Sequence, residues 1–287
     1  MPENLSLEER ITASLGSLTP KQKKLARLAL DDRSFFAFAS ASQVGHETDT
    51  SAATVVRFAR TIGYAGFPEM KNAIRLELPH YLTAVERLQA RLAAPSLPDD
   101  VYQQVFYYDI HNIQQTAENL SIPMLESVIQ SILEADTILV VGSGLSAGLA
   151  IFLAHSLRVI GFDTRALTGH GLSLATEVAQ VNSGTLLIAI DLRRHVRSTL
   201  EAVKSARRAG ALTIAITDNR VSRLARRADH VFEVAAEGYA HSLSTTGVMS
   251  LLNVFLAELS YRQPEKILES LRRVDETYRQ HDLLVSE

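Results

Sequence analysis

The stretch that most limits what this chain can fold into is Thr137-Ile-Leu-Val-Val141, followed at once by Gly142-Ser-Gly-Leu-Ser-Ala-Gly148 and an apolar helical pattern from Leu149 to Val159. A continuous apolar run rich in β-branched residues reads as a strand buried on both faces, which belongs to a parallel sheet covered by helices. The glycine-rich turn after it gathers backbone amides and a helix N-terminus at one point, where an anion can sit. Further apolar runs repeat the strand pattern at Phe162–Leu167, Thr185–Ile190, Ala211–Thr217 and His230–Val234, with helical stretches between them. That alternation predicts an α/β fold, an α-β-α sandwich on a five-stranded parallel sheet, with its ligand outside the carboxyl ends of the strands. Helices at about Leu243–Leu259 and Glu265–Arg279 close the chain.

The N-terminal part obeys a different rhythm. From Leu5 to about Leu92 the periodicity is helical, with no alternating strand pattern. Thr19-Pro20 is an N-cap with proline at the first helical position, and Leu25, Leu28 and Ala29 form the buried stripe behind it. A short helix near Ser40–His46 carries the small residues Ala41 and Gly45, and Glu47-Thr-Asp-Thr50 turns the chain into Ser51-Ala-Ala-Thr-Val-Val-Arg-Phe-Ala-Arg-Thr61. On a helix, Ala52, Val55, Phe58, Ala59 and Ile62 fall on one side and Ala53, Arg57 and Arg60 opposite, flanked by Thr54 and Thr61. Ser51 or Thr50 supplies the N-cap, and Gly63 ends the helix. Two short helices joined by a tight turn, the second presenting arginines and hydroxyls, make a helix-turn-helix motif. A B-DNA major groove about 12 Å wide admits one such helix. After the turn Gly63-Tyr-Ala-Gly66-Phe-Pro68, a further helix sets Lys71 and Arg75 four residues apart, placed to hold phosphates.

The run Ser51-Ala-Ala-Thr54-Val-Val-Arg57-Phe58, with Gly63-Tyr-Ala-Gly66-Phe67 and Lys71 behind it, resembles the N-terminal DNA-binding domain of RpiR-type transcriptional regulators over roughly Leu5 to Leu78. On this reading Ser51, Ala53, Thr54, Arg57, Arg60 and Lys71 meet double-stranded operator DNA. The expected organisation is an all-α helix-turn-helix head over residues 1–80, a helical linker over 81–125 and the α/β body over 126–287. In the linker Pro95 and Pro98 break the chain, and Pro98-Asp99-Asp100 opens a long helix through Val101, Val105, Ile113 and Leu120.

Composition removes several alternatives. No apolar run reaches the roughly 18 residues of a membrane span, and Met-Pro-Glu-Asn-Leu-Ser is no secretory signal, so a cytoplasmic location is expected. With no cysteine and no histidine pair at ligand spacing, neither a metal site nor a cofactor is expected. The net charge of −3 gives no overall pull toward nucleic acid, so the local excess of Arg57, Arg60, Lys71 and Arg75 over Glu69 carries that argument.

Gly142-x-Gly144-x-x-x-Gly148 approaches a dinucleotide fingerprint, with Asp163 lying 21 residues after Gly142. Against a nicotinamide site, Asp163 stands ahead of the second strand, the turn offers the hydroxyls of Ser143 and Ser146, and the third strand runs into Asp191-Leu-Arg193-Arg194-His195-Val-Arg197-Ser-Thr199. A compact anion suits that basic loop better, and gives Ser143, Gly144, Ser146, Asp191, Arg193, Arg194 and His195 as the effector-binding set.

From about Ile132 to Leu259 the chain resembles the sugar isomerase (SIS) domain: Gly142-Ser-Gly-Leu-Ser146 matches its first loop, and Thr213-Ile-Ala-Ile-Thr217-Asp218 with Leu224-Ala-x-x-Ala228-Asp229 matches its fourth strand, helix and exit. The resemblance implies a phosphosugar held by the first loop and by a serine- and threonine-rich loop after the third strand. There the chain departs, with Asp191-Leu-Arg193-Arg194-His195-Val196 where Ser-x-Ser-Gly-x-Thr is usual. A carboxylate at the first serine position repels phosphate, whereas arginines grip phosphate or carboxylate with two bonds. Either an acidic metabolite is bound there, or Asp191 pairs internally with an arginine.

The function expected is a non-enzymatic regulator whose body senses a small anionic metabolite, a phosphosugar or acidic sugar derivative, and modulates operator binding as a homodimer or dimer of dimers. The alternative is a sugar-phosphate aldose–ketose isomerase, for which Glu177, Glu237, His170 and His241 are bases by type only. His241-Ser-Leu-Ser-Thr-Thr246 adds hydroxyls that either face the same cleft or cap a helix.

Overall fold

The structure, a computed structural model, describes residues 5–76, 83–93, 100–193 and 195–283. Two compact units divide the chain, Met1–Pro95 and Ser96–Glu287.

The first unit is helical: α1 (Leu7–Ser14), α2 (Pro20–Asp31), α3 (Arg33–Phe38), α4 (Ala41–Glu47), α5 (Ala52–Thr61), α6 (Phe67–Leu76) and α7 (Ala84–Leu92). Reciprocal caps start several of them, Ser6 with Glu9, Thr19 with Gln22, Ser40 with Gln43 and Thr83 with Glu86, so amides of the first turn are satisfied by side chains close by in the sequence. Phe36, Phe58, Ile62, Met70 and Ile74 are buried in one core, with Phe36 edge-on to Phe67 at 6.2 Å. Each side chain of that size stabilises the unit by about 1.5–3 kcal/mol relative to exposure.

The second unit opens with α8 (Val101–Glu118) and α9 (Ile122–Glu134), followed by β1 (Thr137–Gly142), α10 (Leu145–Val159), β2 (Thr164–Leu167), α11 (Leu172–Val178), β3 (Thr185–Ile190), α12 (Arg197–Arg208), β4 (Leu212–Thr217), β5 (His230–Glu233), α13 (Thr246–Arg262) and α14 (Pro264–Gln280). The strands pair in parallel in the order β2-β1-β3-β4-β5, with Gly142 opposite Ile190 and Ile190 opposite Ile216. Neighbouring residues on a strand serve opposite faces. Ile138, Val140, Ile188 and Ile214 pack with α9, α10 and α13, while Leu139, Val141, Leu187 and Ala215 pack with α11 and α12. This double burial is why these strands read as unbroken apolar runs.

The segment expected to link the two parts is shared between units, with α7 in the first and α8 in the second. Helix α8 packs on α13 and is bonded to the chain after β5: Thr116 Oγ1 accepts the Ala235 N–H at 3.0 Å, and the Asn112 side chain meets both backbone groups of Glu237. A side chain at Gly247 would run into Ala235 O at 2.5 Å and Thr116 Oγ1 at 2.5 Å, so glycine is what lets α13 approach this junction. Among the described residues no helix is long and apolar enough to cross a membrane.

Candidate functional site

In the head, α4 meets the start of α5 at a glycine. A Cβ on Gly45 would lie 2.7 Å from Thr50 O and 3.2 Å from Ala52 N, and Gly45 O accepts the Thr50 N–H at 2.7 Å. The turn between them passes through Asp49 at φ 53°, a conformation that aspartate tolerates better than most residues. Ser51 caps α5, its hydroxyl accepting the Thr54 N–H at 3.2 Å and meeting Thr54 Oγ1 at 2.9 Å.

The apolar side of α5, Val55, Phe58 and Ala59 with Ile62 beyond, is fully buried, whereas Ser51, Ala53, Arg57 and Arg60 are exposed and Thr54 half-buried. Arg57 leans back along the helix to Thr54 Oγ1 at 3.4 Å, and Arg60 Nε donates to Ala65 O at 3.3 Å. Thr61 is committed to structure: its hydroxyl donates to Arg57 O and accepts from Gln22 Nε2, both at 2.9 Å, which ties α5 to α2. Lys71 sits differently from the arginines. Its ammonium donates to Ala39 O at 2.9 Å, at the end of α3, and stands 5.7 Å from the centre of the Phe67 ring. The Arg75 side chain lies outside the described residues.

In the body, the loops after β1 and β3 are neighbours because their strands are. Strand order reverses between β1 and β3, the position at which such sheets leave a crevice. Gly142 ends β1 where a Cβ would be 2.3 Å from Ser146 O, so only glycine lets the first turn of α10 fold back so closely. Gly144 follows at φ 58°, ψ −124°, a backbone that glycine alone adopts without strain. Ser143 is half-buried and Ser146, in the first turn of α10, is 3% exposed.

The β3 loop starts buried, at Asp191, Leu192 and Arg193. Asp191 is 4% exposed; its Oδ2 accepts the Val196 N–H at 3.1 Å and lies 3.5 Å from His195 Nδ1, at the limit of hydrogen-bond reach. Burial pushes the Asp191 carboxyl above its usual range, and the His195 side chain and Val196 N–H pull it back only in part. Arg193 has φ 59°, a left-handed backbone that costs a non-glycine residue about 1–2 kcal/mol. It is held there by Asp218, whose Oδ1 accepts the Arg193 N–H at 2.8 Å and whose Oδ2 is 3.8 Å from Arg193 Nε. Arg193 Nη2 donates to Glu237 Oε2 at 2.9 Å. Arg194 lies outside the described residues.

Among the described residues of the loop, Arg193 turns to Asp218 and Glu237, and Asp191 to His195 and not to an arginine. Sequence reasoning missed Asp218 as a partner, although a carboxylate placed directly after β4 stands at the same edge of the sheet. It also missed the hydroxyls of Ser198 and Thr199, in the first turn of α12, and of Thr217, at the end of β4; all are buried with no hydrogen-bond partner among the described residues. Of the bases considered for an isomerase, Glu237 is taken by Arg193, Glu177 pairs with Arg165 at 3.0 Å, and His170 and His241 are exposed. Ser244 and Thr246 both turn toward Asp109 of α8, the serine donating to its Oδ1 at 2.6 Å, so that stretch fastens the helix.

Residues 5–80 match the helix-turn-helix domain of the rpiR family, and residues 131–259 match the SIS domain. The sugar isomerase domain of an RpiR transcription factor from Sphaerobacter thermophilus is 39% identical, covering 62% of this chain and 99% of that one, with a TM-score of 0.61. The Vibrio vulnificus NanR protein, complexed with ManNAc-6P, shares the fold over 98% of this chain and 100% of its own, at 20% identity and a TM-score of 0.63. A helix-turn-helix transcriptional regulator of Caldanaerobacter subterraneus is 25% identical across 90% of this chain and 93% of its own.

Proposed function

The chain belongs to the rpiR family of transcriptional regulators, and from that premise we propose that its head reads an operator with α5 while its SIS domain senses a small anionic sugar derivative and modulates that binding. Ser51, Ala53, Thr54, Arg57 and Arg60 form the reading face, since the opposite side of α5 is consumed by the core. Lys71 supports from the side: its ammonium donates to Ala39 O at the end of α3, and we assign it to a phosphate of the DNA backbone. The observation that carries the effector assignment is the convergence of Ser143–Ser146 and Asp191–His195 on the carboxyl ends of β1 and β3. The NanR protein, similar in fold over 98% of this chain, is complexed with ManNAc-6P, and this supports a ligand of that kind here.

Sensing over isomerisation is supported by the ion pair that occupies Glu177 and by relatives that are transcriptional regulators. A single short recognition helix supplies too little contact for tight binding, so paired half-sites spaced by about 34 Å or a multiple are expected, read by a homodimer or a dimer of dimers. The test is a thermal-shift screen of the full chain against hexose phosphates, including ManNAc-6P, and acidic sugar derivatives, with turnover measured on every hit. A stabilising compound that alters DNA binding and is not consumed supports the reading; conversion of a hit to its keto or aldo isomer sinks it. Arg193→Ala should abolish the shift caused by the true effector, and an unchanged shift removes the β3 loop from the site.

A further inference from the structure

Glu237 is the point where the proposed effector site meets α8. Its carboxylate takes the Arg193 guanidinium at 2.9 Å. Its backbone is clamped by Asn112 of α8, whose Nδ2 donates to Glu237 O at 2.7 Å and whose Oδ1 accepts the Glu237 N–H at 3.0 Å. Asn112 is fully buried, and two residues before Glu237 the Ala235 N–H is held by Thr116 one turn along the same helix. Arg193 thus sits between two claims, the carboxylate of its own chain and any anion that enters beside Ser143–Ser146. Arg193 already faces two carboxylates in a buried setting, Asp218 and Glu237, so an entering anion that takes the guanidinium must replace one of them, and Glu237, held through a single Nη2 bond and the more exposed of the two, is the one that can turn out to water.

We infer that Glu237 is a resident counter-ion for Arg193 which the effector's anionic group displaces, and that its release loosens the 235–237 segment from Asn112 and Thr116 and so frees α8. This rests on the anionic-effector reading above and names how that site is regulated. Helix α8 is the first element of the second unit, so it is where a change in the body enters the stretch of chain that leads back to the head. Asp218 keeps its hold on the Arg193 backbone throughout, which is why only the Glu237 arm of the pair is exchangeable.

The test uses the full chain, inorganic phosphate and glucose 6-phosphate as probes, and amide hydrogen exchange of residues 101–118 and 235–237. In the parent, saturation with whichever probe binds should speed exchange in both segments, an arm that needs no variant. Glu237→Gln keeps the volume and removes the competing charge: it should bind phosphate about tenfold more tightly than the parent and show faster α8 exchange with no probe present. Glu177→Gln breaks an ion pair of similar length elsewhere and should change neither quantity. Asn112→Ala should keep the affinity of the parent while its α8 exchange no longer responds to the probe. The inference is overturned if the parent binds a probe and Glu237→Gln binds it no more tightly than Glu177→Gln does, or if α8 exchange is the same with and without bound probe; the regulatory reading survives either result. Failure of both parent and Glu237→Gln to bind either probe overturns this inference, whereas the anionic reading falls only if the wider screen of sugar phosphates and acidic sugar derivatives also yields no hit.

Discussion

Arginine does opposite things in the two parts of this molecule. On α5, Arg57 and Arg60 are exposed and their contacts with their own unit are long, 3.4 Å to Thr54 Oγ1 and 3.3 Å to Ala65 O. At the mouth of the sheet, Arg193 is buried, sits on a left-handed backbone and holds Glu237 at 2.9 Å. An exposed guanidinium loses little hydration when it moves to an external anion, so it serves as a reading group. A buried one has already lost its water and needs carboxylates from its own chain, so it serves as a site that exchanges one partner for another. The difference lies in the surroundings of the residue and not in its type.

The largest expected effect falls on the buried side. Arg193→Ala leaves the Asp218 and Glu237 carboxylates without their counter-ion, which should cost the α/β unit about 3–5 kcal/mol. A thermal midpoint for that unit within a degree or two of the parent would show that water supports these carboxylates and that the contrast between the regions is false. Next comes the junction that presents α5. Gly45→Ala drives a Cβ against Thr50 O and should destabilise the head by about 1–3 kcal/mol and weaken DNA binding with it. Gly148→Ala, on α10 with open space around it, should stabilise the body by about 0.5–1 kcal/mol. The pair is read from separate unfolding transitions of the two units, and equal effects would mean that the turn geometry at Gly45 is not what limits the motif.

The sequence revealed most where one residue type serves one physical end. Apolar runs such as Thr185–Ile190 became β3 with the bounds expected, because burial on both faces leaves no room for polar residues. Ser51 was legible as a cap and Gly45 as a small residue just before the turn, since both features are local in the chain. The strand Phe162–Leu167 begins later, at Thr164, because Phe162 belongs to the turn after α10, where its N–H bonds Leu157 O at 3.0 Å. Partnerships over long separations were not legible. Nothing near Arg193 in the chain points to Glu237, and nothing near Asn112 marks it as other than a polar residue on a linker helix. Such pairings are made by the sheet order and by the packing of α8, both of which exist only after folding.

On the exposed side the effects are smaller and appear in DNA binding alone. Arg57→Ala should cost about 1–3 kcal/mol on the operator and relax preference at one base position, whereas Lys71→Ala should weaken binding on all sequences and lower the salt slope by about one. Lys71→Ala also removes the donor to Ala39 O, so a drop in head stability without any change in salt slope would assign Lys71 to the fold alone.

The smallest effect tests whether the sheet mouth is as dry as the contrast requires. Burial raises the Asp191 carboxyl above its usual 3.8, so the folded chain holds that proton more firmly than the unfolded chain does. The stability contributed by the protonated form is fully present below 3.8 and is lost as pH rises through the raised folded value. Asp191→Asn keeps an acceptor for the Val196 N–H and removes the titration. The variant should match the parent in acid and exceed it in thermal midpoint at neutral pH. The advantage of Asp191→Asn should therefore widen as pH rises, and a midpoint difference that stays flat from about pH 4 to 8 would mean that water reaches this carboxylate and that the mouth is wet.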